Sequence, residues 1–268
     1  MTPSSLFQQM QAKKSYLCVG LDSDPARIPA HLQSEKDPVF AFNRAIIEAT
    51  LPYAVAYKPN LAFYEAQGPR GWESLAKTLE LIPNNVFTIA DAKRGDIGNT
   101  SRLYAKTFFE TYDFDAVTVA PYMGEDSVAP FLEFEGKWVF LLALTSNPSA
   151  QDFQHLPTGQ GPLHERVILK AEEWAQRYPG QLGYVVGATR SESLRRLREL
   201  IPQATLLVPG VGAQGGDLHA VCQHGPTELG GLLVNSSRGI IFASEGEDFA
   251  EAAAASAKAL QQEMSQYF

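Results

Sequence analysis

The chain contains eight short apolar runs that alternate with amphipathic segments, and this alternation most limits the folds open to it. The eight runs are rich in β-branched and aromatic residues: Tyr16–Leu21, Tyr53–Tyr57, Val86–Ala90, Ala116–Ala120, Val139–Leu144, Gly183–Val186, Thr205–Val208 and Gly231–Val234. Segments with helical periodicity lie between them: Val39–Ala49, Trp72–Leu81, Ser101–Thr111, Glu165–Tyr178 and Ser191–Leu200. Near-continuous apolar strands that alternate with amphipathic helices are typical of parallel sheets buried on both faces.

Eight such units predict a closed (β/α)8 barrel, the TIM-barrel form of the α/β class. We expect one domain over residues 1–268, since barrels of this kind commonly occupy about 250 residues as a single unit. An open, doubly wound sheet is the alternative architecture. The segment Leu6–Lys13 is predicted to be a short helix that covers the bottom of the barrel, and Phe249–Met264 to be the last outer helix.

The composition disfavours several classes of partner. The formal net charge is −8, from 22 Lys and Arg against 30 Asp and Glu, and no basic run occurs, so we expect no nucleic acid and no membrane partner. Cys18 and Cys222 are far apart in apolar surroundings and are predicted to be buried, reduced thiols. The five histidines lack metal-ligand spacing. The first residues lack the apolar core of a signal peptide, which predicts a cytoplasmic location.

Polar and charged residues follow the ends of the predicted strands, where the active sites of such barrels lie. In chain order they are Asp22, Lys58, Asp91 with Lys93, residues 121–122, 145–146, 188–189, 210–214 and 235–238. Because parallel strands in a barrel all end at one rim, we expect these groups to converge on one site. The first three strand ends carry a concentration of Asp and Lys that random polar loops would less often provide.

The segment 91–100 is the most informative in the chain. In an extended strand Asp91 and Lys93 point to the same side. On the residues alone, these two could form a local ion pair on a loop, Asp96 could cap the following helix, and Lys58 could be a solvated lysine. If the four groups lie together, their alternating charges would keep Asp91 ionised and Lys93 protonated despite burial.

Two loops near the end of the chain fit a phosphate site. Residues 210–215 match a formal Gly-x-Gly-x-x-Gly pattern, but Asn235 rather than an acidic residue follows the next strand, which disfavours a dinucleotide site. Loops after strands seven and eight of a barrel commonly bind phosphate through backbone N–H groups. Gln214 and Arg238 would add side-chain donors, although Arg238 taken alone could be a surface arginine.

These motifs together resemble the orotidine 5′-phosphate decarboxylase family. The spacing Asp-x-Lys-x-x-Asp-Ile-x-x-Thr at residues 91–100 follows an Asp that closes strand one and a Lys that closes strand two. The longer bacterial branch is especially similar, through residues 91–98 and 234–240, whereas many shorter members have Ile-Pro at 97–98. The resemblance spans nearly the whole chain. It implies conversion of orotidine 5′-phosphate to UMP and CO₂, the last step of de novo pyrimidine synthesis, with no cofactor and no metal.

The resemblance also implies a role for individual residues. The implied catalytic residues are Lys93, which would protonate C6 of the pyrimidine, Asp91 beside the departing carboxylate, Lys58 near the ribose, and Asp96. The implied substrate-binding residues are Asp22 and Thr100 for the ribose, Ser146 and Thr189 for the base, and Gln214 and Arg238 for the phosphate. The family builds its site at a dimer interface, so we expect a homodimer in which Asp96 and Thr100 enter the partner's active site.

Two other functions stay open at this point. A sugar-phosphate decarboxylase or epimerase on the same barrel would share the Asp-x-Lys-x-x-Asp motif but would hold Mg²⁺ through additional acidic ligands. Strand two here ends in Lys58 with no acidic residue before Glu65, which argues against that metal site. A catalytically silent nucleotide-binding or scaffold protein would bind UMP without turnover. Retention of two lysines and two aspartates in the cluster argues against it.

Overall fold

A computed structural model describes residues 1–187, 191–210 and 217–268 of the chain. Eight parallel strands form a closed barrel in which each strand pairs with the next one along the chain and β8 pairs with β1. The strands are β1 (Leu17–Leu21), β2 (Ala56–Pro59), β3 (Phe87–Arg94), β4 (Ala116–Val119), β5 (Trp138–Leu144), β6 (Gln181–Val186), β7 (Thr205–Pro209) and β8 (Leu232–Ser236). The predicted barrel is confirmed, and the open-sheet alternative is wrong.

Helices occupy the connections between the strands and cover the outside of the barrel. They are α1 (Pro3–Lys13), α2 (Pro38–Thr50), α3 (Leu61–Glu65), α4 (Pro69–Glu80), α5 (Gly98–Lys106), α6 (Glu125–Leu132), α7 (Leu163–Ala175), α8 (Ser191–Leu200), α9 (Leu218–His224), α10 (Arg238–Ile241) and α11 (Phe249–Met264). The periodic segment Ser101–Thr111 differs from its prediction, because α5 begins at Gly98 and a π-helical turn at Thr107–Thr111 follows it.

Local chemistry explains where several helices begin. Thr2 and Asp37 lie directly before α1 and α2, and their side-chain oxygens accept backbone N–H groups from Ser5 and Phe40 at 3.1 Å in both cases. Proline then occupies the first turn, where its missing N–H costs no helical hydrogen bond. Such caps satisfy donors that a helix cannot pair internally.

The N-terminal helix lies at the bottom of the barrel, as predicted. Leu6 and Met10 are buried beside Trp138 and Thr205, the first residues of two strands. The predicted burial of both cysteines is also confirmed. Over the three described ranges, no helix combines the length and the apolar character needed to cross a membrane.

The strand ends differ from their predictions in a way that matters for the site. β2 runs to Pro59, β3 to Arg94 and β8 to Ser236, each at least two residues beyond the predicted end. Lys58, Asp91, Lys93 and Asn235 therefore belong to the barrel strands rather than to loops. A strand-borne side chain is more rigidly held than one on a loop, which suits a site that depends on fixed charges.

Candidate active site

A cavity of about 190 Å³ opens at the carboxyl ends of the strands. Its lining includes Lys58, Asp91, Lys93, Thr118, Leu142, Leu144, Thr145, Ser146, Asn147, Val185, Leu207 and Pro209. A larger cavity, of about 380 Å³, lies at the opposite end of the barrel beside Thr88 and Asp115. We place the candidate site in the smaller cavity, because it alone of the two joins three of the predicted catalytic side chains with an apolar wall.

Asp91 lies between two lysines in this cavity. The Lys58 Nζ donates to Asp91 Oδ2 at 2.6 Å, and the Lys93 Nζ donates to Asp91 Oδ1 at 2.5 Å. The Lys58 side chain is only 5% exposed, so it is not a solvated lysine. The Lys93 side chain is 51% exposed, so the expected burial of this lysine is wrong. Its ammonium stands at the cavity surface, where an incoming ligand can reach it.

The charges of this cluster stabilise one another. Burial alone would raise the pKa of Asp91, but the ammonium groups of Lys58 and Lys93 outweigh it and lower that pKa to about 2. Burial alone would lower the pKa of Lys58, yet the carboxylates of Asp91 and Asp22 raise it. Asp91 is therefore an anion and Lys58 a cation at neutral pH, which gives the cavity a fixed dipolar array.

A bulge at the end of β3 aims Asp91 and Lys93 into the site. Ala90 pairs with Val117 and Arg94 pairs with Val119, so three residues of β3 face one residue of β4. Lys93 has a φ of +47°, which is uncommon for a residue with a side chain. The regular extended strand assumed from the sequence is therefore wrong at Lys93. Bulges of this kind often re-aim side chains beside active sites.

Two acceptor atoms beside the charged cluster have no partner among the residues that the structure describes. They are Oδ1 of Asp22, just after β1, and Oδ1 of Asn235, in β8, and both atoms are buried. Buried acceptors are normally hydrogen-bonded, so these two are suited to ligand hydroxyl groups. Gly20 lets the strands approach here, since a Cβ at this position would meet Asn235 Oδ1 at 3.1 Å and Ser237 Oγ at 1.8 Å.

Asp96 and Thr100 lie outside the cavity, next to an exposed apolar surface. The Asp96 carboxylate accepts the N–H of Ile97 at 2.7 Å, and no side chain caps α5, so the capping role considered for Asp96 is wrong. Thr100 is exposed on the first turn of α5. Gly98 has a φ of +53°, which proline cannot adopt, so the backbone here cannot follow the Ile-Pro pattern of the shorter chains.

Ser146 lines the cavity on the loop after β5, and a residue that the sequence did not indicate holds this loop. Gln154 Oε1 accepts the N–H of Thr145 at 2.8 Å, and Gln154 Nε2 donates to Thr145 Oγ1 at 2.8 Å. The carbonyl oxygen of Gln154 accepts from the backbone N–H of His164 at 3.0 Å, at the start of α7. Gln154 thereby ties the residue before Ser146 to the helix layer.

The phosphate side of the site is only partly described. Arg238 is exposed and begins α10 directly after β8, at the same rim of the barrel as the cavity. Over the residues described, its guanidinium makes no hydrogen bond or ion pair. Gln214 and Thr189 lie outside the described residues, as do most of the glycines in 210–215.

The acidic residue that a magnesium site would need is engaged elsewhere. Glu65 forms an ion pair with Arg94, and a buried Lys58 occupies the end of β2. Within the described part of the chain, no three His, Cys, Asp or Glu side chains are grouped as metal ligands. The metal-free and cofactor-free chemistry expected from the sequence stays a prediction.

Comparisons with known proteins agree with one another. Residues 15–253 match the model of the orotidine 5′-phosphate decarboxylase / HUMPS family. The chain is 58% identical over 267 residues to the orotidine 5′-phosphate decarboxylase of Christiangramia forsetii, covering 98% of this chain and 97% of that protein. It is 55% identical over 270 residues to the enzyme of that name from Bacteroides fragilis, covering 99% and 98%. The structure of Leishmania donovani OMP decarboxylase is similar with a TM-score of 0.80, at 35% identity, covering 98% and 99%.

Proposed function

Since this chain belongs to the orotidine 5′-phosphate decarboxylase / HUMPS family, we propose that it converts orotidine 5′-phosphate to UMP and CO₂ in pyrimidine biosynthesis. One structural observation supports this activity independently of the family match. Asp91 is held between the ammonium groups of Lys58 and Lys93 at the mouth of the barrel, beside an apolar wall. Fixed charges of this kind can stabilise the charge that develops when a carboxylate leaves as CO₂.

The proposed chemistry follows from the charges. Loss of CO₂ from C6 of the base leaves a carbanion with little conjugative relief, so the barrier is high. We assign to Lys93 the stabilisation of that carbanion and its protonation, because its ammonium is exposed to the cavity while Lys58 is enclosed. Asp91 would stand beside the substrate carboxylate, and Lys58 would keep Asp91 ionised and in place.

Binding energy from the remote phosphate would offset the cost of placing two carboxylates together. Arg238 begins a helix at the rim with its guanidinium exposed, which supports its assignment to the phosphate. The unpartnered oxygens of Asp22 and Asn235 support a ribose site between the phosphate and the charged cluster. Ser146 and Thr189 are assigned to the base, and Gln214 to the phosphate, on the family resemblance alone.

We further propose a homodimer in which Asp96 and Thr100 complete the partner's site. Both residues lie close in the chain to exposed apolar side chains, since Ile97 is 55% exposed and Leu103 is 57% exposed. Tyr122 and Met123, on the loop after β4, are also exposed apolar residues. A surface of this kind is typical of subunit interfaces. The cytoplasmic location and the single-domain organisation stay predictions.

The test is the loss of orotidine 5′-phosphate absorbance with purified protein after treatment with a chelator. We expect full turnover by the treated wild-type protein, and Lys93→Ala to bind UMP without releasing CO₂. Lys170→Ala is the matched control, because Lys170 forms only a surface ion pair with Glu173. Activity that needs added Mg²⁺ would favour the sugar-phosphate enzyme instead, and UMP binding without turnover by the wild type would favour the silent nucleotide-binding protein.

A further inference from the structure

The bulge in β3 leaves a backbone donor that the β4 strand does not pair in the ordinary way. Between the pairs Ala90–Val117 and Arg94–Val119, the only residue of β4 is Thr118. The N–H of Lys93 donates to Thr118 Oγ1 at 2.9 Å, so a side-chain hydroxyl takes the place of a ladder carbonyl. Buried backbone donors need such a partner, because leaving one unsatisfied costs about 1–3 kcal/mol.

The same hydroxyl also reaches Asp91. Thr118 Oγ1 donates its hydrogen to Asp91 Oδ1 at 3.3 Å, and that oxygen is the one that accepts from Lys93 Nζ. The hydroxyl has one hydrogen and two lone pairs, so it can accept from the Lys93 backbone and donate to Asp91 at once. Thr118 is 1% exposed, so its hydroxyl has these two protein partners rather than bulk water.

We infer that Thr118 is a positioning residue of the active site, which fixes the left-handed backbone of Lys93 and the carboxylate of Asp91 relative to each other. This inference rests on the proposed function. Its physical basis is that Lys93, at a φ of +47°, is in a conformation that persists only when its surroundings hold it. When the Lys93 ammonium turns from Asp91 towards the substrate, the hydroxyl of Thr118 would hold the Lys93 backbone and the Asp91 carboxylate in the same relative position.

Three variants at position 118 separate the effect of the hydroxyl from that of the side-chain shape. Thr118→Val exchanges the hydroxyl for a methyl group, whereas Thr118→Ser keeps the hydroxyl and removes the methyl group. Thr118→Ser and Thr118→Ala differ from each other only in the hydroxyl. If the valine variant does not fold, comparing these two variants still shows whether turnover needs the hydroxyl.

Thr88 provides a matched control at the opposite end of the barrel. Its hydroxyl accepts the N–H of Asp115 at 3.0 Å and donates to Asp115 Oδ2 at 3.1 Å, so its chemistry resembles that of Thr118. Thr88→Val should lower the melting temperature without changing turnover. If the Thr118 variants lose more turnover than Thr88→Val does, the extra loss is due to the position of Thr118 in the active site and not to the removal of a buried hydroxyl in general.

The experiment measures kcat and KM for orotidine 5′-phosphate, the affinity for UMP, and the melting temperature of each variant. We expect Thr118→Val and Thr118→Ala to lower kcat at least tenfold while UMP affinity changes less than threefold, and Thr118→Ser to keep kcat within threefold of the wild type. Wild-type kcat in the valine and alanine variants would overturn the inference, as would equal losses in the serine and alanine variants. A wild-type protein without turnover would instead overturn the proposed function, and this inference with it.

Discussion

Replacing Asp91 by asparagine tests the electrostatic account of the site most directly. The substitution keeps the shape of the side chain and removes its charge, so the Lys58 ammonium, 5% exposed, loses its main counter-ion. The pKa of Asp91 is about 2 against an ordinary value of 3.8, which corresponds to about 2 kcal/mol of stability at neutral pH. Breaking a buried ion pair costs about 3–5 kcal/mol, and the nearby Asp22 carboxylate reduces that cost. We therefore expect Asp91→Asn to lower the free energy of unfolding by about 2–5 kcal/mol at pH 7.

The dependence on pH has a definite sign. Because folding lowers the pKa of Asp91, its contribution is fully present above about pH 4 and is lost as the pH falls through about 2. At pH 3 about half of that contribution remains, so the difference between wild type and variant should shrink by about 1 kcal/mol. Turnover of orotidine 5′-phosphate at pH 7 should fall by about 10²–10³-fold, since a preorganised charge is gone.

Urea unfolding at pH 7 and pH 3, followed by the fluorescence of the three tryptophans, measures the loss of stability and its dependence on pH, and the absorbance assay at pH 7 measures turnover. Asp113→Asn is the matched control, because Asp113 pairs with Lys137 at 2.7 Å but its side chain is 85% exposed. An exposed ion pair contributes at most about 1 kcal/mol. An Asp91→Asn protein that loses no more stability than Asp113→Asn would refute the reasoning, and so would a difference that does not narrow at pH 3.

Three further predictions concern the substrate-binding parts of the site. Arg238→Ala should lower kcat/KM for orotidine 5′-phosphate by about 10–100-fold and leave that for phosphate-free orotidine unchanged; equal losses for both substrates would contradict the phosphate assignment. Gln154→Ala should weaken UMP binding by about tenfold in calorimetry but not ribose 5-phosphate binding, because it acts on the base-contacting loop. The control Gln151→Ala, on the same loop and exposed, should change neither affinity. Gly20→Ala should lower stability by about 1–3 kcal/mol in thermal unfolding, since its Cβ would lie 1.8 Å from Ser237 Oγ and 2.9 Å from Ser237 Cβ; an unchanged melting temperature would show that the Ser237 side chain moves aside without cost.

The fold was predictable because it depends on a pattern that every part of the chain repeats. Eight apolar runs separated by amphipathic helices leave few ways to bury both faces of a sheet. The closed barrel is one of them, and it includes all eight runs as strands. Strand ends were less certain, because the apolar pattern stops where polar functional residues begin. Lys58 and Asn235 therefore looked like loop residues, although each continues a strand.

Much of the candidate site was also predictable, because residue type and spacing already placed Lys58, Asp91 and Lys93 at adjacent strand ends. Sequence alone could not indicate Thr118 or Gln154. A threonine within an apolar strand and a glutamine in a polar loop belong to no recognisable motif. Thr118 acts on residues 25 and 27 positions earlier in the chain, and Gln154 acts on a residue nine positions earlier.

The sequence by itself determined the architecture, the rim at which chemistry takes place and the charges available there. Only the tertiary structure decided that Lys58 is enclosed while Lys93 is open to the cavity, and that a bulge rather than a regular strand aims Lys93. The reason is physical. Periodicity encodes which side of a strand is apolar, whereas burial, a left-handed backbone and a hydroxyl shared by two residues depend on how neighbouring strands meet.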